Sequence, residues 1–129
     1  MHRYLTHEWL EAAQLAAESD TALAAATKDV HLTVQHVVTG GPGGDATFHV
    51  AIDDGRVHVV SGTVADATVT FIQDWDTASA ISRGELSAQG AFMAGRVRVR
   101  GDLPKLIEYG NVFGEVGDVF ARLRTSTTY

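Results

Sequence analysis

Apolar positions along the chain follow two periods, and the change from one to the other marks the elements. From Thr6 to Glu18, residues Trp9, Ala12, Ala13, Ala16 and Ala17 form a stripe at helical spacing. Thr6 is a fair N-cap, and Glu8 sits in the first turn, where a negative charge suits the helix dipole. Asp20 can cap a further helical stretch through Ala26, with Leu23 its main residue to bury. The period then drops to two. His31 to Val38 places Leu32, Val34, His36 and Val38 on one face, and Ala46 to Ile52 places Phe48, Val50 and Ile52 on one face. Gly40-Gly41-Pro42-Gly43-Gly44 is a loop between them. Asp53-Asp54-Gly55 is a hairpin turn leading to Arg56–Ser61, where Val57 and Val59 alternate with His58 and Val60.

The second half repeats the alternation between periods. Ala67 to Ile72 reads as a strand with Val69 and Phe71 on one face. Asp74 or Asp76 caps a helix to about Arg83, which Gly84 ends, and Ser87 caps a very short helix stopped by Gly95. Arg96 to Arg100 alternates strictly, with Val97 and Val99 inward and three arginines outward. Gly101 breaks that strand, and Asp102 caps the next helix, with Pro104 in its first turn, where a missing N–H costs little. This helix runs to Glu108 or Tyr109, and Gly110-Asn111 breaks it. Helical spacing resumes over Val112, Phe113, Val116, Phe120 and Leu123, weakened by Gly114 and Gly117 at roughly 1 kcal/mol each relative to Ala. The five predicted strands are 31–38, 46–53, 56–61, 67–72 and 96–100. Short connections make the first four an antiparallel meander, and the fifth returns after two helices. The fold class is α+β: one five-stranded, mainly antiparallel sheet with helices packed on one face.

With 129 residues and 45% hydrophobic content, the chain is one domain, 1–129, able to bury a core and to house a small cavity. A formal charge of −6 argues against a nucleic-acid partner. The absence of cysteine excludes disulfides and thiolate chemistry. No apolar run reaches the roughly 18 residues of a membrane span, and the N-terminus lacks the apolar segment of a secretory signal, so a cytoplasmic setting is expected.

Candidate chemistry is sparse. The GGPGG loop lacks the Lys-Ser/Thr of a phosphate cradle. His31, His36, His49 and His58 lie in strands without the spacing of a metal site, and His36 shares its face with valines. Asp66, Asp74 and Asp76 could act in acid–base work, but capping accounts for Asp74 and Asp76. No activated nucleophile stands out near Ser61 or Ser79, so no catalytic residue, metal or cofactor is assigned. Arg96, Arg98 and Arg100 could meet a phosphate or anionic lipid heads; a solvated strand face is the simpler reading.

One stretch carries a resemblance. ADATVTF (65–71) and ISRGELSAQGAFMAGRVRVRGDLPKL (81–106) resemble the signature of the sterol carrier protein 2 (SCP2) domain, through Ala91, Phe92, Met93, Gly95, Gly101 and Asp102. The resemblance is strong over 65–106 and weaker over 30–64. It implies helices covering one face of a twisted five-stranded sheet, with an apolar tunnel between them. It thus implies a non-catalytic carrier of a small apolar ligand: a fatty acid, an acyl-CoA or a sterol-like body. Phe71, Trp75, Phe92, Met93, Leu106, Ile107, Tyr109, Phe113, Val116 and Phe120 are the expected lining. Phe92 is expected to be buried and Gly95 to sit past a short helix at positive φ. A transient membrane or enzyme partner fits such a role. The alternatives are a small enzyme using His and Asp groups in the same pocket, and an interaction module with a filled core. Gly110, Gly114 and Gly117 depart from the family pattern in the helix that borders the tunnel.

Overall fold

The computed structural model describes residues 1–129. In chain order the elements are β1 (His2–Arg3), α1 (His7–Glu18), α2 (Thr21–Ala26), β2 (His31–Gly41), β3 (Gly44–Asp53), β4 (Arg56–Ser61), β5 (Val69–Asp74), α3 (Trp75–Arg83), α4 (Ala88–Met93), β6 (Val97–Gly101), α5 (Leu103–Glu108), α6 (Gly110–Arg122), a 3₁₀ turn (Leu123–Ser126) and β7 (Thr127–Thr128). Five helix starts are fixed by the side chains that the sequence nominates. Thr6, Asp20, Asp74, Ser87 and Asp102 accept from the backbone N–H of Trp9, Leu23, Thr77, Gly90 and Lys105 respectively. Each bond satisfies a donor that the helix itself leaves unpaired.

The main sheet has the strand order β4-β3-β2-β5-β6. β2–β3, β3–β4 and β5–β6 are antiparallel, but β2–β5 is parallel, with Val34 opposite Val69 and His36 opposite Phe71. The expected four-strand meander therefore stops at β4. The chain crosses from one edge of the sheet to the far side of β2 within residues 62–68. A short crossover suffices because the strands are staggered. Ser61 ends β4 level with Phe48 and His36, while β5 starts level with Val34, so the chain moves sideways and hardly back. Buried Gln35, facing away from the inward row, anchors the crossing: its amide donates to the carbonyls of Phe48 and Gly62, and its Oε1 accepts from Val64 N–H at 2.8 Å.

The inward face of the sheet carries Leu32, Val34, Phe48, Val50, Ile52, Val57 and Val59, which join Trp9, Leu10, Ala13 and Ala17 of α1 and Val112 and Val119 of α6 in one core. Ala13 is fully buried, as the small-residue stripe of α1 allows close packing on β4 and α6. α3 lies over β2 and β5. The two ends of the chain meet: β1 pairs parallel with β7, and Tyr4 N–H donates to the Thr128 carbonyl. α6 runs unbroken through Gly114 and Gly117, because the burial of Val112 and Val119 outweighs the low helix propensity of glycine. Gly95 has φ of 78°, past the end of α4 as expected.

Candidate functional site

Between the sheet and helices α3 to α6 lies a cavity of about 730 Å³, lined by 26 residues of which 19 are hydrophobic. That size falls in the range of small-molecule pockets, roughly 300–1,000 Å³. Its floor is the inward row of the central strands, including Val34, His36 and Val38 of β2, Phe71 and Gln73 of β5, and Val97 and Val99 of β6. Its wall is α6, which presents Gly110, Gly114, Gly117 and Ala121 at spacings of four, three and four residues, one helical face. A Cβ built on any of these three glycines would meet nothing within 4 Å. The glycines that interrupt the apolar pattern of α6 are thus the positions that leave room. Lining residues that are exposed lie on α4 (Ala88, Gln89, Phe92) and α6 (Gly110, Gly114, Gly117), so the cavity opens between these helices.

Of the residues expected to line it, Phe71, Phe92, Leu106, Phe113, Val116 and Phe120 do. Trp75, Met93, Ile107 and Tyr109 do not. Trp75 starts α3 and packs against Tyr4, ring centroids 5.3 Å apart, beside Gly41. Met93 and Ile107 are 78% and 83% exposed, because six-residue helices bury one side only, Ala91 in α4 and, in part, Leu106 in α5. Tyr109 packs on the core cluster with Lys105 over its ring. Phe92, expected buried, is 52% exposed at the mouth. The expectation failed because one side of its short helix faces the opening rather than a neighbouring element.

Sequence reasoning missed His36, Gln73 and the glycine face as lining. The strand alternation carried the signal for the first two: both lie on the inward face, in line with Val34 and Phe71. His36 stacks on Phe48 (centroids 4.6 Å apart, 4° between planes) and on Phe71 (5.5 Å). Burial in these apolar surroundings pushes its imidazole down from 6.5 to about 4. The other strand histidines lie elsewhere: His49 meets the Gly62 carbonyl, and His31 pairs with Asp53 at 2.9 Å on the surface. Neither His49 nor His58 lines the cavity, and no Asp, Glu, Lys or Arg does. Arg98 and Arg100 point to solvent, while Arg96 Nε donates to Thr77 Oγ1 and ties β6 to α3. At the chain ends Tyr4 donates to the Ala78 carbonyl, and burial raises its phenol above the usual range.

Sheet, covering helices and an apolar chamber between them define an α+β domain with an internal apolar cavity. A sequence model of the SCP-2 sterol transfer family matches residues 11–114, and the chain belongs to that family. Among solved structures, sterol carrier protein 2 superposes with a TM-score of 0.77 at 19% identity, covering 92% of this chain and 98% of that one. A conserved hypothetical protein of Thermus thermophilus gives 0.76 at 18% identity, covering 95% and 91%. The sec-alkylsulfatase Pisa1 of a Pseudomonas species gives 0.51 at 19% identity, covering 69% of this chain but 14% of the larger enzyme. No curated protein sequence matches the chain. No helix is long and apolar enough to cross a membrane.

Proposed function

We propose that this domain binds one lipid molecule in the cavity and carries it without chemical change. The observation that carries the reading is a chamber of about 730 Å³ whose 26 lining residues include no charged side chain. Such a chamber removes an acyl chain or polycyclic body from water. About ten buried methylenes contribute ~8 kcal/mol gross at ~0.8 kcal/mol each. Immobilising the ligand and ordering the mouth offset several kcal/mol of that, which leaves micromolar affinity and loose selectivity by chain length. An enzymatic use of the chamber finds no support in its lining: no carboxylate is present to pair with His36. Family membership and the superposition on sterol carrier protein 2 point the same way. The ligand classes that fit are fatty acids, acyl-CoA and sterol-like bodies, and a transient membrane or enzyme partner would deliver or receive them.

Native mass spectrometry of protein purified from cells, followed by organic extraction, tests the reading. An adduct of lipid mass that is released unchanged is the expected result. A ligand that binds only the folded state must also raise the melting midpoint through mass action. If no lipid of any class shifts that midpoint, the carrier function is refuted. Time-dependent conversion of a bound lipid by the pure protein would replace the carrier by an enzyme.

A further inference from the structure

The cavity is apolar but not uniformly so. Its polar lining side chains are Tyr4, His36, Gln73, Ser82 and Gln89, besides the indole N–H of Trp9. Tyr4 bonds the Ala78 carbonyl, Ser82 bonds the Tyr129 hydroxyl, and Gln89 is exposed at the mouth. The indole N–H of Trp9, also buried without a partner, belongs to α1, and on the strand floor His36 and Gln73 remain. The Oε1 of Gln73 is buried without a hydrogen-bond partner, and the His36 ring is held by stacking on Phe48 and Phe71 rather than by a hydrogen bond. The two residues are diagonal neighbours on one face of the β2–β5 pair, since His36 opposes Phe71 and Val38 opposes Gln73. Strand spacing and rise put their Cα atoms about 8 Å apart, a span that the two side chains can close around one polar atom. Leaving the buried Gln73 oxygen unpaired is costly, so it points to a partner that the protein itself does not supply, and half-buried His36 beside it offers that partner a second polar contact.

We propose that His36 and Gln73 form a polar recognition site that selects lipids carrying an uncharged hydroxyl over lipids carrying a carboxylate. The inference rests on the lipid-binding reading above and names its ligand class. A neutral imidazole offers one donor and one acceptor, and an amide offers both. A hydroxyl, which also donates and accepts, completes either group. The terminal torsion of Gln73 is soft and roughly two-fold, so a half-turn brings either end of the amide to the ligand. A carboxylate only accepts hydrogen bonds and needs a counter-charge when it is taken out of water. No such charge lines the cavity, and His36, held neutral by its apolar neighbours, does not supply one at neutral pH. A site built to hydrogen-bond a ligand hydroxyl also rejects the analogue that lacks it, because its own polar groups are then left unpaired.

The test compares decan-1-ol, decanoate and decane at pH 8, by displacement of an uncharged fluorescent probe. The proteins are the wild type, Gln73→Met and His36→Phe. The expected result is decan-1-ol bound at least tenfold tighter than decanoate by the wild type. Each substitution should then weaken decan-1-ol at least fivefold and leave decane unchanged or tighter. Both substitutions replace a group without a protein hydrogen bond by an apolar one of similar shape, so the ligand-free melting midpoint should hold or rise. Tighter binding of decanoate than of decan-1-ol would overturn the inference and leave the carrier intact. So would equal losses for decane and decan-1-ol in the variants, or a fall in the ligand-free midpoint. Failure of all three probes to bind the wild type would overturn both.

Discussion

Replacing His36 by Phe should remove a block of acid sensitivity from this protein. In the fold the ring lies on the apolar floor of the cavity, stacked between Phe48 and Phe71, and burial lowers its pKa from 6.5 to about 4. In the unfolded chain the imidazole takes up a proton as the pH falls below about 6.5; in the fold it stays neutral until about 4. The unfolded state therefore binds more protons throughout that window, and stability rises with pH across it. The stability is fully present above the unfolded value and is lost as the pH falls toward the folded one. At about 1.4 kcal/mol per unit, the full loss is at most about 3 kcal/mol, and at pH 5 about 2 kcal/mol. Water admitted to the cavity solvates the charged ring and reduces both figures. The assay is urea unfolding from pH 7.5 to 4.5 for the wild type and His36→Phe, with NMR titration of the ring. The aromatic replacement keeps the stacking, and Tyr4, whose phenol titrates far above this range, is the one other ionisable side chain lining the cavity. Asp20 and Asp74 have carboxyls held below 3.8, Asp20 mainly by the backbone N–H of Leu23 and Asp74 by hydrogen bonds from Thr77, so their contribution is lost at lower pH. If both proteins lose the same stability between pH 7.5 and 5, or the ring titrates near 6.5 in the fold, the reasoning is refuted.

Gly114→Ala and Gly117→Ala should each stabilise the protein by about 0.5–1 kcal/mol in urea unfolding, because the added Cβ meets nothing within 4 Å and helix propensity improves. Gly114→Phe should fill the chamber and abolish lipid-induced melting shifts while the fold persists; undiminished binding would show that this face of α6 does not bound the ligand. Gly101→Ala should cost well over 1 kcal/mol, since φ is 104° and the new Cβ would clash with the Thr68 carbonyl oxygen, so a wild-type melting curve would contradict the geometry. Arg98→Gln should change stability by less than about 0.5 kcal/mol, whereas Arg96→Gln should cost more because its Nε bonds Thr77; a double-mutant cycle with Thr77→Val separates the two.

The sequence alone determined the local elements, because each depends on residues near it in the chain. Strand alternation placed Val34, Phe48, Val69 and Val97 on the buried side, and short polar side chains before each helix marked Thr6, Asp20, Ser87 and Asp102 as caps. It also carried the family resemblance in residues 65–106. Tertiary structure decided what depends on distant partners. Whether β5 pairs beside β4 or beside β2 turns on the stagger of the strands and on Gln35 seizing the crossover, and neither leaves a mark in periodicity. Whether a bulky apolar residue fills the core or faces a chamber depends on what lies across from it. Met93 and Ile107 look like lining and are exposed, while the glycines of α6 look like helix defects and create the space. His36 read as a histidine out of place among valines. Only the packing of Phe48 and Phe71 around it, beside an unpaired Gln73, gives it an environment and a candidate role.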